Sequence, residues 1–281
     1  MKSLYDVPAP AKLNLFLHIV GRRADGYHLL ESAFMLVDWC DTLHFELRHD
    51  GQLAREDLTT PLPPQDLVLR AARALQVASG TSMGAQIAID KQIPAQAGMG
   101  GGSSDAATCL LALNRLWGLG LSKSQLMAIG LTLGADVPFF LGGHNAWVTG
   151  IGEQLHALTL PPAHFAIAKP PDGLETARIF TDPGLKRDTT TAIISGFAAN
   201  PYDFGHNDLQ PVAQRLCPAV TQALSWLDQQ GLASRMTGSG SAVFAHAPQA
   251  LVLQSAPAGW KTRVCGNMDV HPLVEWAPSD N

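Results

Sequence analysis

Polar and apolar positions alternate one by one near the start of the chain. Ala11, Leu13, Leu15, Leu17 and Ile19 fall on one side, and Lys12, Asn14, Phe16 and His18 on the other. A period of two is that of a β-strand. LLESAFMLVDW and TLHFEL continue as strands, and DLVLRAARALQVAS then changes to helical spacing. The strand AQIAID follows, and after it a run of glycines opens a second helix. There Ala106, Ala107, Leu110, Leu111, Leu113 and Leu116 form a broad apolar face, with Gly118 and Gly120 beyond its end. Ser103 or Ser104 is expected to cap this helix, and Asp105 suits the positive end of its dipole. SKSQLMAIGLTLG reads as a third helix, capped by Ser122 and stopped by Gly134.

Between Gly150 and Pro162 the composition shifts, which divides the chain into two expected domains, 1–150 and 151–281. Beyond the shift, HFAIAKP is a short strand. The segment from Thr181 to Gly205 lacks a buried pattern and reads as a long surface connection. Helices are expected near Leu209–Leu216 and Val220–Leu227, ahead of a second glycine-rich stretch. Strands and helices mixed without regular βαβ repetition place the chain in the α+β class.

Composition narrows the function. Of 281 residues, 46% are hydrophobic and 15% charged, enough to bury a substantial core. The net charge is −5 without a basic cluster, which argues against a nucleic-acid partner. Cys40, Cys109, Cys217 and Cys265 lack metal or redox spacing and read as reduced, structural thiols. MKSLYDVPAPAK has no apolar signal core and no run approaches membrane-spanning length, so a cytoplasmic protein is expected.

Candidate chemistry gathers at four places. The run PAQAGMGGGSSDAA, beginning at Pro94, clears side chains in front of a helix N-terminus, the geometry that binds phosphate. It is neither the P-loop pattern nor a dinucleotide fingerprint, since the required lysine and third glycine are missing. Lys12 and Asn14 mark either a site or the exposed face of an edge strand, and taken alone the segment favours the edge. Asp136 in LGADVPFF suits a base, a metal ligand or a helix cap. MTGSGSAVFA, residues 236–245, fits a strand-entry turn better than a second phosphate-contacting loop. Asp25-Gly26 marks a turn, beyond which Tyr27 and His28 form either a stacking site for a flat heterocycle or an ordinary turn rim.

In this order PAKLNLFL, PAQAGMGGGSSDAA, LGADVPFF and MTGSGSAVFA resemble the signature motifs of the GHMP kinase superfamily, which phosphorylates small hydroxyl compounds with ATP. GRRADGYHLLES is similar to the branch acting on a cytidyl diphosphate alcohol in non-mevalonate isoprenoid synthesis. The resemblance implies an N-terminal ribosomal S5 domain 2-like domain, a C-terminal ferredoxin-like domain and an active site in the cleft between them. It implies Lys12 and Asp136 as the catalytic pair. Pro94, Gly98, Met99, Gly100, Gly101, Gly102, Ser103 and Ser104 would hold ATP, with Lys91 toward the adenine and Asp66 nearby. Asp66 stands where the family commonly has asparagine, exchanging a donor for a negative charge. Asn14 would hold the substrate alcohol, Tyr27 and Phe180 would sandwich the cytosine, and His28 would bond its edge. Phe34 and Thr176 would line the same pocket. Mg²⁺ is expected on the phosphates with mostly water around it, and no residue is assigned as a metal ligand. The expected partner is a small molecule, bound by a monomer or homodimer. Another small-alcohol kinase, or a nucleotide- or RNA-associated module without catalysis, remain alternatives.

Overall fold

Alternation at the N-terminus builds two long antiparallel strands, β1 (Ser3–Arg22) and β2 (His28–Arg48), in a computed structural model that describes residues 2–280. LLESAFMLVDW and TLHFEL are therefore one strand. The turn between β1 and β2 is closed by Arg23 N–H donating to the Tyr27 carbonyl at 2.8 Å, with Gly26 at φ +92°. The first half continues through β3 (Leu53–Asp57), α1 (Leu67–Ser79), β4 (Gly84–Asp90), α2 (Gly101–Leu116), α3 (Lys123–Leu133), α4 (Val137–Gly142) and β5 (Ala146–Thr149). Then follow β6 (Gln154–Ala157), β7 (His164–Lys169), α5 (Thr176–Phe180), α6 (Ile194–Ala199), α7 (Gln210–Leu216) and α8 (Pro218–Asp228). The short β8 (Ser234–Met236), β9 (Val243–Ala247) and β10 (Lys261–Met268) are the last elements.

The strands share one sheet in the order β3-β4-β2-β10-β7-β9-β8, with β1 and β5 also on β2, and β6 on β5. Among the described residues only β3 and β4 pair in parallel; the other strand pairs are antiparallel. β10 pairs with β2 at Asn267–Val37 and with β7 along its length, so the sheet runs through both halves of the chain. Among the described residues no helix is long and apolar enough to cross a membrane.

The expectation of an exposed polar face on β1 is overturned. Lys12, Asn14, Phe16 and His18 are all buried. β1 is indeed at an edge, but that edge is covered by loops that satisfy its backbone. Lys12 N–H donates to the Met99 carbonyl (3.0 Å), Asn14 N–H to Thr237 Oγ1 (2.9 Å), and Leu17 N–H to the His206 carbonyl (2.9 Å). Covering an edge this way removes its unpaired groups. Ala11, Leu13, Leu15 and Phe16 join a cluster with Met35, Phe165 and Phe244, while Leu17 and Ile19 pack toward α7 and α8.

Helix ends follow local chemistry, with one correction. Asp66 caps α1 by accepting from Leu69 N–H at 3.1 Å, and Ser122 and Gln125 form a capping box on α3. On α2 the cap is Gly100, at φ +71°, with no side-chain hydrogen bond. Ser103 and Ser104, expected as caps, lie inside the first turn. The segment 181–205 is also no plain surface connection. Leu185, Phe197 and Tyr202 are buried anchors, and α6 forms within it. Anchors so sparse carry no period to read. The four cysteines are free thiols.

Candidate active site

Glycine is required at two places in the loop before α2. Gly98 and Gly100 both have φ +71°. A Cβ on Gly98 would stand 2.2 Å from the Thr237 carbonyl oxygen, and one on Gly100 would stand 2.9 Å from the Phe140 ring. The loop is held from behind by Ser241 N–H on the Gln96 carbonyl (3.1 Å) and Ala242 N–H on the Ala97 carbonyl (3.2 Å). From Gly98 to Ser103 the amide N–H groups donate to no carbonyl or side chain among the described residues. Ser104 N–H is the first to turn inward, onto the Gly100 carbonyl at 2.9 Å. Unclaimed amides at the positive end of a long helix attract an anion.

These amides line a cavity of about 1020 Å³. Its wall also carries Lys12, Asn14, Phe34, Asp66, Lys91, Pro94, Asp136, Thr176 and Phe180. Gly238, Ser239 and Gly240 close it from the second glycine-rich stretch, where Ser239 Oγ lies 2.8 Å from Thr176 Oγ1. A Cβ on Gly238 would meet the Gly98 carbonyl oxygen at 2.8 Å. The stretch is thus packed against the first loop, and the simple strand-entry turn favoured from sequence is corrected.

Lys12 and Asp136 come together at the mouth of the α2 dipole, Nζ to Oδ2 at 3.6 Å. Lys12 is 4% exposed, donates to Asn14 Oδ1, and lies 4.6 Å above the Phe34 ring. Asn14 Nδ2 in turn donates to Ser32 Oγ at 2.9 Å, which fixes the amide's orientation. Asp136 precedes α4 but makes no capping hydrogen bond, so its carboxylate faces the cavity instead. An ammonium and a carboxylate so placed can compensate charge and take a proton in one step.

Three expected contacts are corrected by the geometry. Lys91 lines the cavity, yet its ammonium is held between Asp41 and Asp105, the latter at 2.6 Å. Burial works against that charge, and Asp105 and Asp41 outweigh it, leaving Lys91 above the ordinary lysine value. Asp41 accepts further from Gln92 N–H (2.6 Å) and Ile93 N–H (2.8 Å), whereas Asp105 Oδ1 has no partner. Burial, resisted by Lys91 and aided by Asp41, pushes the Asp105 carboxyl up to about 8. Lys91 is therefore a strut beneath the loop. Ser104 is fully buried, its Oγ without a partner, and it does not reach the cavity. Helical rotation turns it inward while Ser103 stays on the wall.

The third correction concerns the aromatic end. Tyr27 is 60% exposed, and the ring against Phe180 is that of His28, with centroids 5.2 Å apart and planes at 38°. Asp66 keeps its place on the wall with its charge answered by Arg55, Nη1 to Oδ1 at 2.6 Å. Sequence reasoning missed Thr237, Ser32 and Asp41, whose importance lies in the partners that folding brings to them.

Residues 66–144 match the description "GHMP kinases N terminal domain" and residues 193–256 match "GHMP kinases C terminal". The chain belongs to the GHMP kinases, ATP-using enzymes of mixed α and β structure. Within that family it is similar to the 4-diphosphocytidyl-2-C-methyl-D-erythritol kinases. That of Albidiferax ferrireducens is 68% identical, covering 100% of this chain and 98% of the relative. That of Variovorax paradoxus is 66% identical, covering 99% and 100%. A solved 4-(cytidine 5'-diphospho)-2C-methyl-D-erythritol kinase aligns with a TM-score of 0.75 at 34% identity, over 87% of this chain and 90% of that one. A mevalonate kinase aligns at 0.68 with 11% identity, over 95% and 99%, a likeness of fold alone.

Proposed function

We propose that this chain transfers the γ-phosphoryl group of ATP to the 2-hydroxyl of 4-diphosphocytidyl-2-C-methyl-D-erythritol. The observation that carries the reading is the set of unclaimed amides from Gly98 to Ser103 facing the Lys12–Asp136 pair across one cavity. The fit to a nucleotide tail rests on those amides and on Gly100, where any side chain would strike Phe140. The triphosphate oxygens accept their N–H bonds, and the α2 dipole favours the charge. The substrate hydroxyl oxygen attacks the γ-phosphorus while the bond to the β–γ bridging oxygen breaks, releasing ADP. The hydroxyl proton passes to Asp136, and Lys12 offsets charge on the transferring group. Asn14 holds Lys12 in line and faces the alcohol.

Mg²⁺ bound on the phosphate oxygens would neutralise part of their charge, with water completing its shell. At the far end His28, Phe180 and Thr176 suit the cytosine. Domains 1–150 and 151–281 would meet at this cavity. The chain would act on a small molecule as a cytoplasmic monomer or homodimer, and its charge of −5 without a basic cluster argues against a nucleic-acid partner.

ADP release with ATP and the cytidyl alcohol, run beside the non-cytidylated precursor, tests the proposal. Turnover is expected with the cytidyl compound alone. No ADP with either would overturn the proposed reaction, and equal rates with both would remove the base site.

A further inference from the structure

The segment 181–189, outside every sequence motif, places one guanidinium against the aromatic end of the cavity. Arg187 Nε donates to His28 Nε2 at 3.0 Å. Its Nη2 donates to the Phe180 carbonyl at 3.2 Å and the Asp182 carbonyl at 2.8 Å, and its Nη1 to the Leu185 carbonyl at 2.9 Å. One side chain therefore ties the end of α5, which carries Phe180, to the first residue of β2, which is His28. The planar fork can do this because it has five donors in fixed directions.

Arginine has no acceptor, so the contacted ring nitrogen must be the one without hydrogen. His28 Nε2 accepts, and the proton must reside on Nδ1. We propose that Arg187 is the positioning residue of the base-recognition end, holding His28 as the neutral Nδ1–H tautomer with its ring against Phe180. This rests on the reading of the cavity as the site of a cytidyl alcohol. A cytosine offers two ring acceptors, the O2 carbonyl and N3, and a fixed N–H donor beside a stacking ring selects for them. Nδ1 has no partner among the described residues and is left for such an acceptor. An imidazolium would need a hydrogen on Nε2, directly against the guanidinium. Burial first, then the charges of Arg187 and of Arg22 across the hairpin, hold His28 below the ordinary histidine value.

The test separates the tautomer from the activity. In protein labelled with ¹⁵N-histidine, with the His28 resonances assigned by their loss in His28→Gln, wild type at pH 7.5 should show Nδ1 protonated and Nε2 bare. Arg187→Met, which keeps the apolar stem, should move His28 toward the Nε2–H form. It should raise KM for the cytidyl alcohol about ten-fold, with KM for ATP within about two-fold. Arg187→Lys, which can donate once but cannot bridge to α5, should recover only part of that loss. A wild-type His28 protonated on Nε2 overturns the proposal without any variant. So does a tautomer, or a KM for the cytidyl alcohol, unchanged in Arg187→Met. If the cytidyl alcohol is not turned over while the Nδ1–H form is present and depends on Arg187, the substrate reading fails and the positioning role stands.

Discussion

Asp136 shows how little a residue's immediate neighbours decide. Val137-Pro138 makes it look like a helix cap, and its carboxylate caps nothing; it stands 3.6 Å from a lysine that arrives from the other end of the half-chain. Lys12 was visible as an oddity, but its burial depends on loops at Met99, His206 and Thr237, far apart in sequence, converging on one strand edge. The glycine run, by contrast, was legible outright, because a cleared turn before an apolar helix face is a local feature. Asp136→Asn keeps the shape and removes the proton acceptor. Its kcat should fall by about 10²–10⁴-fold, the range for general-base catalysis, with ATP affinity within about two-fold. Rates and calorimetric titration check this, and a near-normal kcat would take Asp136 out of the chemistry.

At the level of elements, α3 could be bounded from its capping serine, whereas the start of α2 could not. Its cap is a left-handed glycine, and the hydroxyls that resemble a cap belong to its first turn. Beneath that turn the Asp41–Lys91–Asp105 strut joins β2, the end of β4 and α2. Two carboxylates share one ammonium, and Asp105 is the one without backbone support. Its folded-state value, about 8, lies above the ordinary value for an unfolded aspartate. Its contribution to stability is thus complete in acid, below about 4, and is lost as pH rises toward 8. Asp105→Asn mimics the protonated acid. Denaturant unfolding should find this variant gaining on wild type between pH 5 and pH 8. A constant difference across that range would contradict the strut's charge balance.

Across the whole molecule, the α+β class was legible, but the continuity of the sheet was not. β10 is the last strand in sequence and sits between β2 and β7, a pairing that no periodicity announces. The chain beyond it docks back on the first half. His271 N–H donates to the Gly143 carbonyl at 2.9 Å, and Leu273 and Ala277 enter the core beside α1 and α2. His271 is fully buried with Nε2 unpartnered, and burial lowers it to about 4. A histidine held neutral stabilises the fold above its ordinary value near 6.5 and loses that contribution as pH falls through about 4. About 3 kcal/mol should vanish over that interval in wild type, and His271→Leu should flatten the acid limb. An unaltered limb would place the acid sensitivity elsewhere.

All of these scales meet at the amides from Gly98 to Ser103. Titrating ¹⁵N-labelled protein with a non-hydrolysable ATP analogue reads them directly. Saturable shifts at those six amides, larger than at any other backbone group on the cavity wall, are the result the account predicts. An analogue that binds while those resonances stay where they were would contradict it.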